Sequence, residues 1–194
     1  MPGTELPILG TEPLAVELAN TLYGSGEERI DFLRTARRID EWFASVSAEH
    51  GVTAPAAMGR DAERVRTLRD CVHSLLSAAV DERTPDEASV ERLNGFAAAA
   101  PTHLRLDWTG AGGPVSRWRD TTVGGTAVLG RIATCCIELL TGPEAGKVRR
   151  CQGPGCSLIF MKSHPRRRWC HPSCGHRDRQ ARYHRRHLTT SGAS

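Results

Sequence analysis

The sequence predicts a mainly α fold with a small β-hairpin (α+β), split between a helical N-terminal domain and a small cysteine-rich C-terminal unit. Three observations predict it. Apolar residues recur at helical spacing through most of the first 140 positions. One stretch between residues 103 and 119 alternates with a period near two. Four of the seven cysteines, Cys151, Cys156, Cys170 and Cys174, crowd into the last quarter of the 194-residue chain.

Taken in order, residues 13–23 place Leu14, Leu18 and Leu22 on one helical face. From Glu27 to Val46 the positions Phe32, Ala36, Ile39, Phe43 and Val46 predict a second helix, closed by the loop HGVTAPAAMG. Residues 61–80 form the cleanest amphipathic pattern, with Val65, Leu68, Val72, Leu75, Leu76 and Ala79 as the buried stripe. Thr84-Pro85-Asp86-Glu87 offers an N-cap, a proline at the first helical position and an acid three residues on. Val90, Leu93 and Ala97, with Phe96 beside them, form the inner face of that helix. His103–Trp108 and Val115–Arg119 then read as a hairpin across TGAGGP. Residues 126–140 return to helix and stop at Thr141-Gly142-Pro143, and 144–149 add a further turn leading into the cysteines. There are no internal repeats. The resulting division is a helical domain over 1–146, a cysteine-rich unit over 147–188, and a disordered tail over 189–194.

Composition is that of an ordinary globular chain, 39% hydrophobic and 25% charged, with a mean hydropathy of −0.38. No apolar run approaches the roughly 18 residues of a membrane span. The opening MPGTELPILG lacks the basic and apolar regions of a secretory signal, which predicts a cytoplasmic, reducing location. In that setting clustered thiols are metal ligands more often than disulfides, and an odd cysteine count disfavours a full disulfide framework.

The net charge of +4 conceals two opposed bodies. From Lys147 onward there are twelve lysines and arginines and a single acid, Asp178, for +11; the remaining 14 bases and 21 acids give −7. Four thiolates around one Zn²⁺ would leave the C-terminal unit at about +9.

The cysteines follow C-x4-C, thirteen residues, C-x3-C. Four thiolates satisfy tetrahedral zinc and leave no open position, so the expected cofactor is one structural Zn²⁺ rather than a catalytic one. QGPG between Cys151 and Cys156 suits a tight knuckle. SLIFM (157–161) and Arg166–Trp169 read as short strands joined by KSHP, and Cys174 falls at the start of a helix. Knuckle, hairpin and helix together describe a treble-clef-like zinc finger, with Phe160 and Trp169 as a minimal core that needs a metal. His164, His171 and His176 are alternative ligands.

After Cys174, GHRDRQARYHRRH can run as helix to His187. Its arginines spread around much of the circumference. A solvated face is the ordinary reading of a charge run, but here almost no acid interrupts it. Ten arginines against two lysines also suit bidentate contacts to phosphates and base edges. The expected partner is nucleic acid, with duplex DNA favoured because a helix enters a major groove. Arg166, Arg167, Arg168, Arg177, Arg179, Arg182, Arg185 and Arg186 are the candidate contacts.

Elsewhere, Asn20 and Thr21 have two readings: lining a small-molecule effector pocket, or a helix-ending hydrogen-bond pair before Gly24. Trp42, beside Phe43, is either core or part of that pocket. Cys71, Cys135 and Cys136 lie in apolar helical patterns and read as small hydrophobes, and His73 as a half-buried histidine. There is no GxSxG, phosphate loop, dinucleotide fingerprint or convincing carboxylate pair, so an enzyme is not expected.

The C-x4-C pair, the LIF segment, RRRWC and Cys174-Gly175-His176-Arg177 resemble the CGNR zinc-finger family, and LAVELANTL (with Asn20 and Thr21) and Trp42 resemble the ABATE domain that precedes the finger in that family. His176 stands where the family signature has asparagine. The resemblance implies a stress-associated bacterial transcription regulator. Its finger would bind DNA, and its N-terminal domain would sense an effector or form a homodimer. Two rival readings are a protein-interaction adaptor and an enzyme with a structural finger.

Overall fold

The computed structural model describes residues 9–24, 28–50, 52–108 and 110–191. Helix α1 (Leu14–Ala19) is short, and all six of its residues are buried. The carbonyl of Pro13 opens it by accepting the amides of Val16 and Glu17. Beyond Asn20 the chain turns into β1 (Leu22–Tyr23), which pairs antiparallel with β2 (Ile30–Asp31); the sequence pattern shows neither strand.

The helix expected from Glu27 begins only at Ala36, as α2 (Ala36–His50). Asp31 accepts the amide of Leu33 at 2.9 Å and starts a 3-10 turn over Phe32–Arg34, after which Thr35 is extended. Phe32 is nonetheless buried, so a core residue in a turn extends the apolar periodicity and mimics a longer helix. Helices α3 (Ala62–Val80) and α5 (Gly124–Thr141) pack on α1, and α4 (Glu87–Ala98) packs against both. Asp86, not Thr84, caps α4, accepting the amide of Ser89 at 2.7 Å. Trp42, Leu68, Leu76, Leu129 and Ile132 are fully buried in the shared core.

Helix α5 is 18 residues long with a mean hydropathy of 1.2, so by length and composition it reaches what a membrane span requires. This corrects the expectation that no segment approaches that length. Val128, Leu129, Ile132, Ala133 and Cys136 lie in the core, which accounts for the apolarity.

The expected hairpin forms from β3 (Thr102–Trp108) and β4 (Pro114–Asp120), in register from Thr102↔Asp120 to Trp108↔Pro114. Leu104, Leu106 and Trp108 share one of its faces and are exposed.

After a 3-10 turn at Ala145–Lys147, β5 (Val148–Arg150) pairs antiparallel with β6 (Ile159–Met161). The expected partner of this second strand, 166–169, forms no strand; His164 instead accepts the amide of Arg167 in a turn. The knuckle thus sits at the tip of the β5–β6 hairpin. Val148 and Ile159 join the same apolar core as the helices, which therefore crosses the expected boundary at 146/147. Helix α6 runs from Pro172 to Ser191, so residues 189–191 of the expected disordered tail are helical, and 192–194 lie outside the described residues.

Candidate metal centre

Cys151 and Cys156 flank the knuckle, Cys170 lies in the turn before α6, and Cys174 falls in the first turn of that helix. Pro172 suits the first helical turn because its missing N–H would have no partner there. The His171 ring nitrogen accepts the amide of Ser173 at 3.2 Å and so caps the helix. His164 likewise serves a turn, accepting the amide of Arg166 at 3.1 Å, and His176 is exposed. The three alternative histidine ligands thus stay outside the cluster, which contains cysteines alone.

All four Sγ atoms lie within 4.8 Å of one another, and the Cys156–Cys170 and Cys170–Cys174 pairs are 3.7 Å apart. A tetrahedron of thiolates at about 2.3 Å from zinc has sulfur–sulfur edges of about 3.8 Å. The four thiols therefore fit one structural zinc, and the closed set holds no position for a reacting water.

The surroundings suit thiolates. Cys151 Sγ accepts the amides of Gly153 and Cys170, each at 3.4 Å, and Cys174 Sγ accepts from the Arg177 guanidinium at 3.1 Å. Hydrogen bonds from Cys156 and then Cys170 hold the Cys151 thiol well below the usual thiol range. Cys156 and Cys170 are raised in turn, chiefly by their bonds to Cys151. The metal would supply the charge that lets all four sulfurs ionise together.

Two glycines make the geometry possible. A Cβ on Gly153 would stand 2.7 Å from Cys174 Cβ, so any side chain there would force knuckle and helix apart. A Cβ on Gly175 would stand 3.1 Å from the Trp169 ring, so the bare position lets that ring lie close against α6.

The described residues also show what joins finger to body. Asn20 Nδ2 donates to the Ile159 carbonyl, and the Ile159 amide donates back to Asn20 Oδ1, both at 2.9 Å. The side chain thus continues the β6 edge as another strand would. Thr21 is fully buried and donates to the Leu18 carbonyl at 2.7 Å. Trp42 is also fully buried, its ring edge-on to Phe43 at 4.8 Å. Thr21 thus bonds back into α1 and Trp42 lies in the core, while Asn20 spends its side chain on β6 and not on the end of its own helix.

Arg167, expected among the exposed contacts, turns inward. Its guanidinium donates to the carbonyls of Met161 (2.8 Å) and Cys170 (2.9 Å) and to Glu12 Oε1 (2.9 Å), and lies 4.7 Å from the centre of the Phe160 ring. The Glu12 side chain has no exposed surface, and its other oxygen accepts the Met161 amide at 2.6 Å. Glu12 carries no sequence signal, because its partners lie some 150 positions away.

With the finger anchored on this side, α6 has two distinct faces. At about 100° per residue, Arg179, Arg182 and Arg186 fall on one side while Arg177 points the opposite way, toward Cys174. The expected spread around the circumference thus becomes an inner arginine, an outer stripe and Arg185 on the flank between them. Arg166, Arg168, Arg179, Arg182, Arg185 and Arg186 are exposed, and Arg182 pairs with Asp178 at 2.8 Å.

A family model for ABATE, described as "putative stress-induced transcription regulator", matches residues 12–143. The match covers well over half of the chain. The chain belongs to the ABATE family. A second model, the CGNR zinc finger, matches residues 147–187 and contains all four cysteines. Neither description names an enzyme. No curated protein matches the chain. In this ABATE protein, Asn20 of the family-like LAVELANTL segment is one of the residues that grip the CGNR finger, with Glu12 another.

Proposed function

We propose that this ABATE protein is a cytoplasmic bacterial transcription regulator, stress-associated as its family description suggests, that binds duplex DNA through the CGNR finger. It acts by recognition and not by catalysis. The observation that carries this reading is the exposed basic surface of α6, where Arg179, Arg182 and Arg186 form the outer stripe and Arg185 flanks it, on a helix whose first turn is fixed by the cysteine cluster. Arg166 and Arg168 extend the basic surface across the turn before α6. Arg167 and Arg177 leave the contact set because their guanidinium groups hold the finger itself. The helical domain, 1–146, would carry the sensing or dimerisation role, and 147–188 the DNA contact.

The test is equilibrium binding of the zinc-loaded chain to duplexes selected from a random pool, across a salt series. With six arginines on phosphates, affinity falls about a thousandfold between 50 and 200 mM salt. Replacing Arg179 with glutamine lowers the salt slope by about one. Salt-independent binding, or no selected sequence, overturns the reading.

One observation favours a second role, self-association through the β3–β4 hairpin. Leu104, Leu106 and Trp108 are 57%, 64% and 70% exposed on one face, and none of them is charged. A two-stranded hairpin is marginal alone, and two copies can lay stripe on stripe without like-charge repulsion. Sedimentation of the wild type against Leu106→Lys checks it: a dimer that the lysine dissociates supports the role, and a wild-type monomer at high concentration removes it.

A further inference from the structure

Where the knuckle meets the helical body, a cleft of about 540 Å³ opens beside the metal cluster. Its walls come from both parts of the chain. Arg29, just before β2, and His73 of α3 belong to the body, while Arg150 of β5 and Ser157 and Cys156 of the knuckle belong to the finger. The described lining contains no carboxylate. Yet the body that supplies most of the surrounding surface carries an excess of acids, so this cationic lining runs against the bulk charge.

The groups are arranged to receive an anion. Arg29 is exposed and has no ion pair among the described residues. Arg150 uses one terminal nitrogen on Asp81, at 3.1 Å to each oxygen, and the other on the Ser157 carbonyl at 3.5 Å. Ser157 Oγ accepts the amide of Gly24 at 2.8 Å, tying the knuckle to the β1–β2 turn across the cleft wall. His73 is held below the usual histidine range, first by burial and then by Arg29, Arg150 and Arg69; Asp70 opposes them. One arginine unpaired among the described residues, a second that is paired at its outer edge and an imidazole thus converge from separate elements on one half-enclosed space of the size that small-molecule sites occupy.

We propose that this cleft binds a small anion with a phosphate or carboxylate head between Arg29, His73 and Arg150, and that its occupancy braces the knuckle against the helical body. The Arg29 fork matches either head group, Arg150 adds nearby positive charge, and the neighbouring imidazole offers a further donor. The anion touches body and finger at once, so it tightens the joint that sets how α6 is presented. Calling it an effector rests on the regulator reading; the binding itself does not.

The test uses the full zinc-loaded chain, titrated calorimetrically with inorganic phosphate and, separately, succinate at constant ionic strength. The expected result is one site per chain for at least one of the two anions, and the preferred arm identifies the head group. Arg29→Gln weakens it about tenfold, as loss of a charge-assisted bond predicts. A double variant of the outer stripe, Arg179→Gln with Arg182→Gln, keeps the site, because those residues lie outside the cleft. At ten times Kd, the anion also slows zinc release to a chelator about tenfold, since opening the knuckle must expel it. The absence of a one-to-one site, unchanged affinity in Arg29→Gln, loss of the site in the stripe variant, or unchanged zinc release overturns the proposal. Duplex binding is measured on the same samples without added anion, so failure of the regulator reading registers there and not in the titrations.

Discussion

Trp42, Leu129 and Ile132 lie in an interior built from five helices, whereas among the described residues the finger folds around Phe160, the partly buried Leu158 and Trp169, and four sulfurs, with Leu9 packed against them. The body buries enough apolar surface to hold its own shape. The finger is too small for that, and its charge works against compaction, so a metal must supply the missing cohesion. The joint between them differs again. Val148 and Ile159 extend the apolar core across it, but its specificity is polar: Asn20 on the β6 edge, and Glu12 with Arg167 beneath the knuckle. Each region therefore fails in its own way when perturbed.

The largest effect breaks the finger alone. Cys174→Ser removes a zinc ligand from a site of a kind that contributes about 10–16 kcal/mol of metal-binding energy. Zinc stoichiometry should fall toward zero and duplex binding should vanish, while helical circular dichroism of the body largely survives. A variant that keeps both metal and DNA would show that the two regions do not depend on different cohesion.

The joint comes next. Arg167→Met leaves the enclosed Glu12 carboxylate without its cation, and breaking such a buried pair costs about 3–5 kcal/mol. Urea unfolding should show the loss, and adding Glu12→Gln should restore part of it. A strictly additive double variant would mean the pair is not coupled. Asn20→Ala removes two hydrogen bonds and leaves the Ile159 amide and carbonyl unpaired, a cost of about 2–3 kcal/mol in the same assay. The finger's zinc should also exchange faster, and an unchanged exchange rate would show that the clamp does not serve the finger.

The smallest effect sharpens the picture of the body. Hydrogen bonds from Ser89, side chain and then backbone, and from the Ser74 hydroxyl hold the Asp86 carboxyl below its ordinary range. A depressed acid stabilises the fold above its unfolded pKa, and that contribution disappears as pH falls through the folded value. Asp86→Asn keeps a capping side chain, so its urea midpoint should fall less between pH 7 and pH 3 than that of the wild type. Equal slopes would remove Asp86 from the acid response.

The long helices were legible because their burial is written locally. Val65, Leu68, Val72 and Leu76 repeat at the helical period, and α3 runs where that stripe lies. The second helix was overextended because Phe32 is buried from a 3-10 turn and so continues the same apolar rhythm. The cysteine set was legible from spacing and from the glycines of the knuckle. Its pairing strand was not: 166–169 is too far turned by the His164–Arg167 bend to reach β6, and Val148–Arg150 takes that edge.

By itself, the sequence determined the four-sulfur site, the helical rhythm of the body and the separation of charge between the two ends. Only the tertiary structure decided which arginines face outward, that Asn20 grips a strand 139 residues away, and that basic groups from both regions line one cleft. The physical reason is range. Ligand spacing and amphipathic period are properties of a dozen neighbouring residues, whereas the partner of a buried polar group is set by whichever distant surface the packed core brings against it.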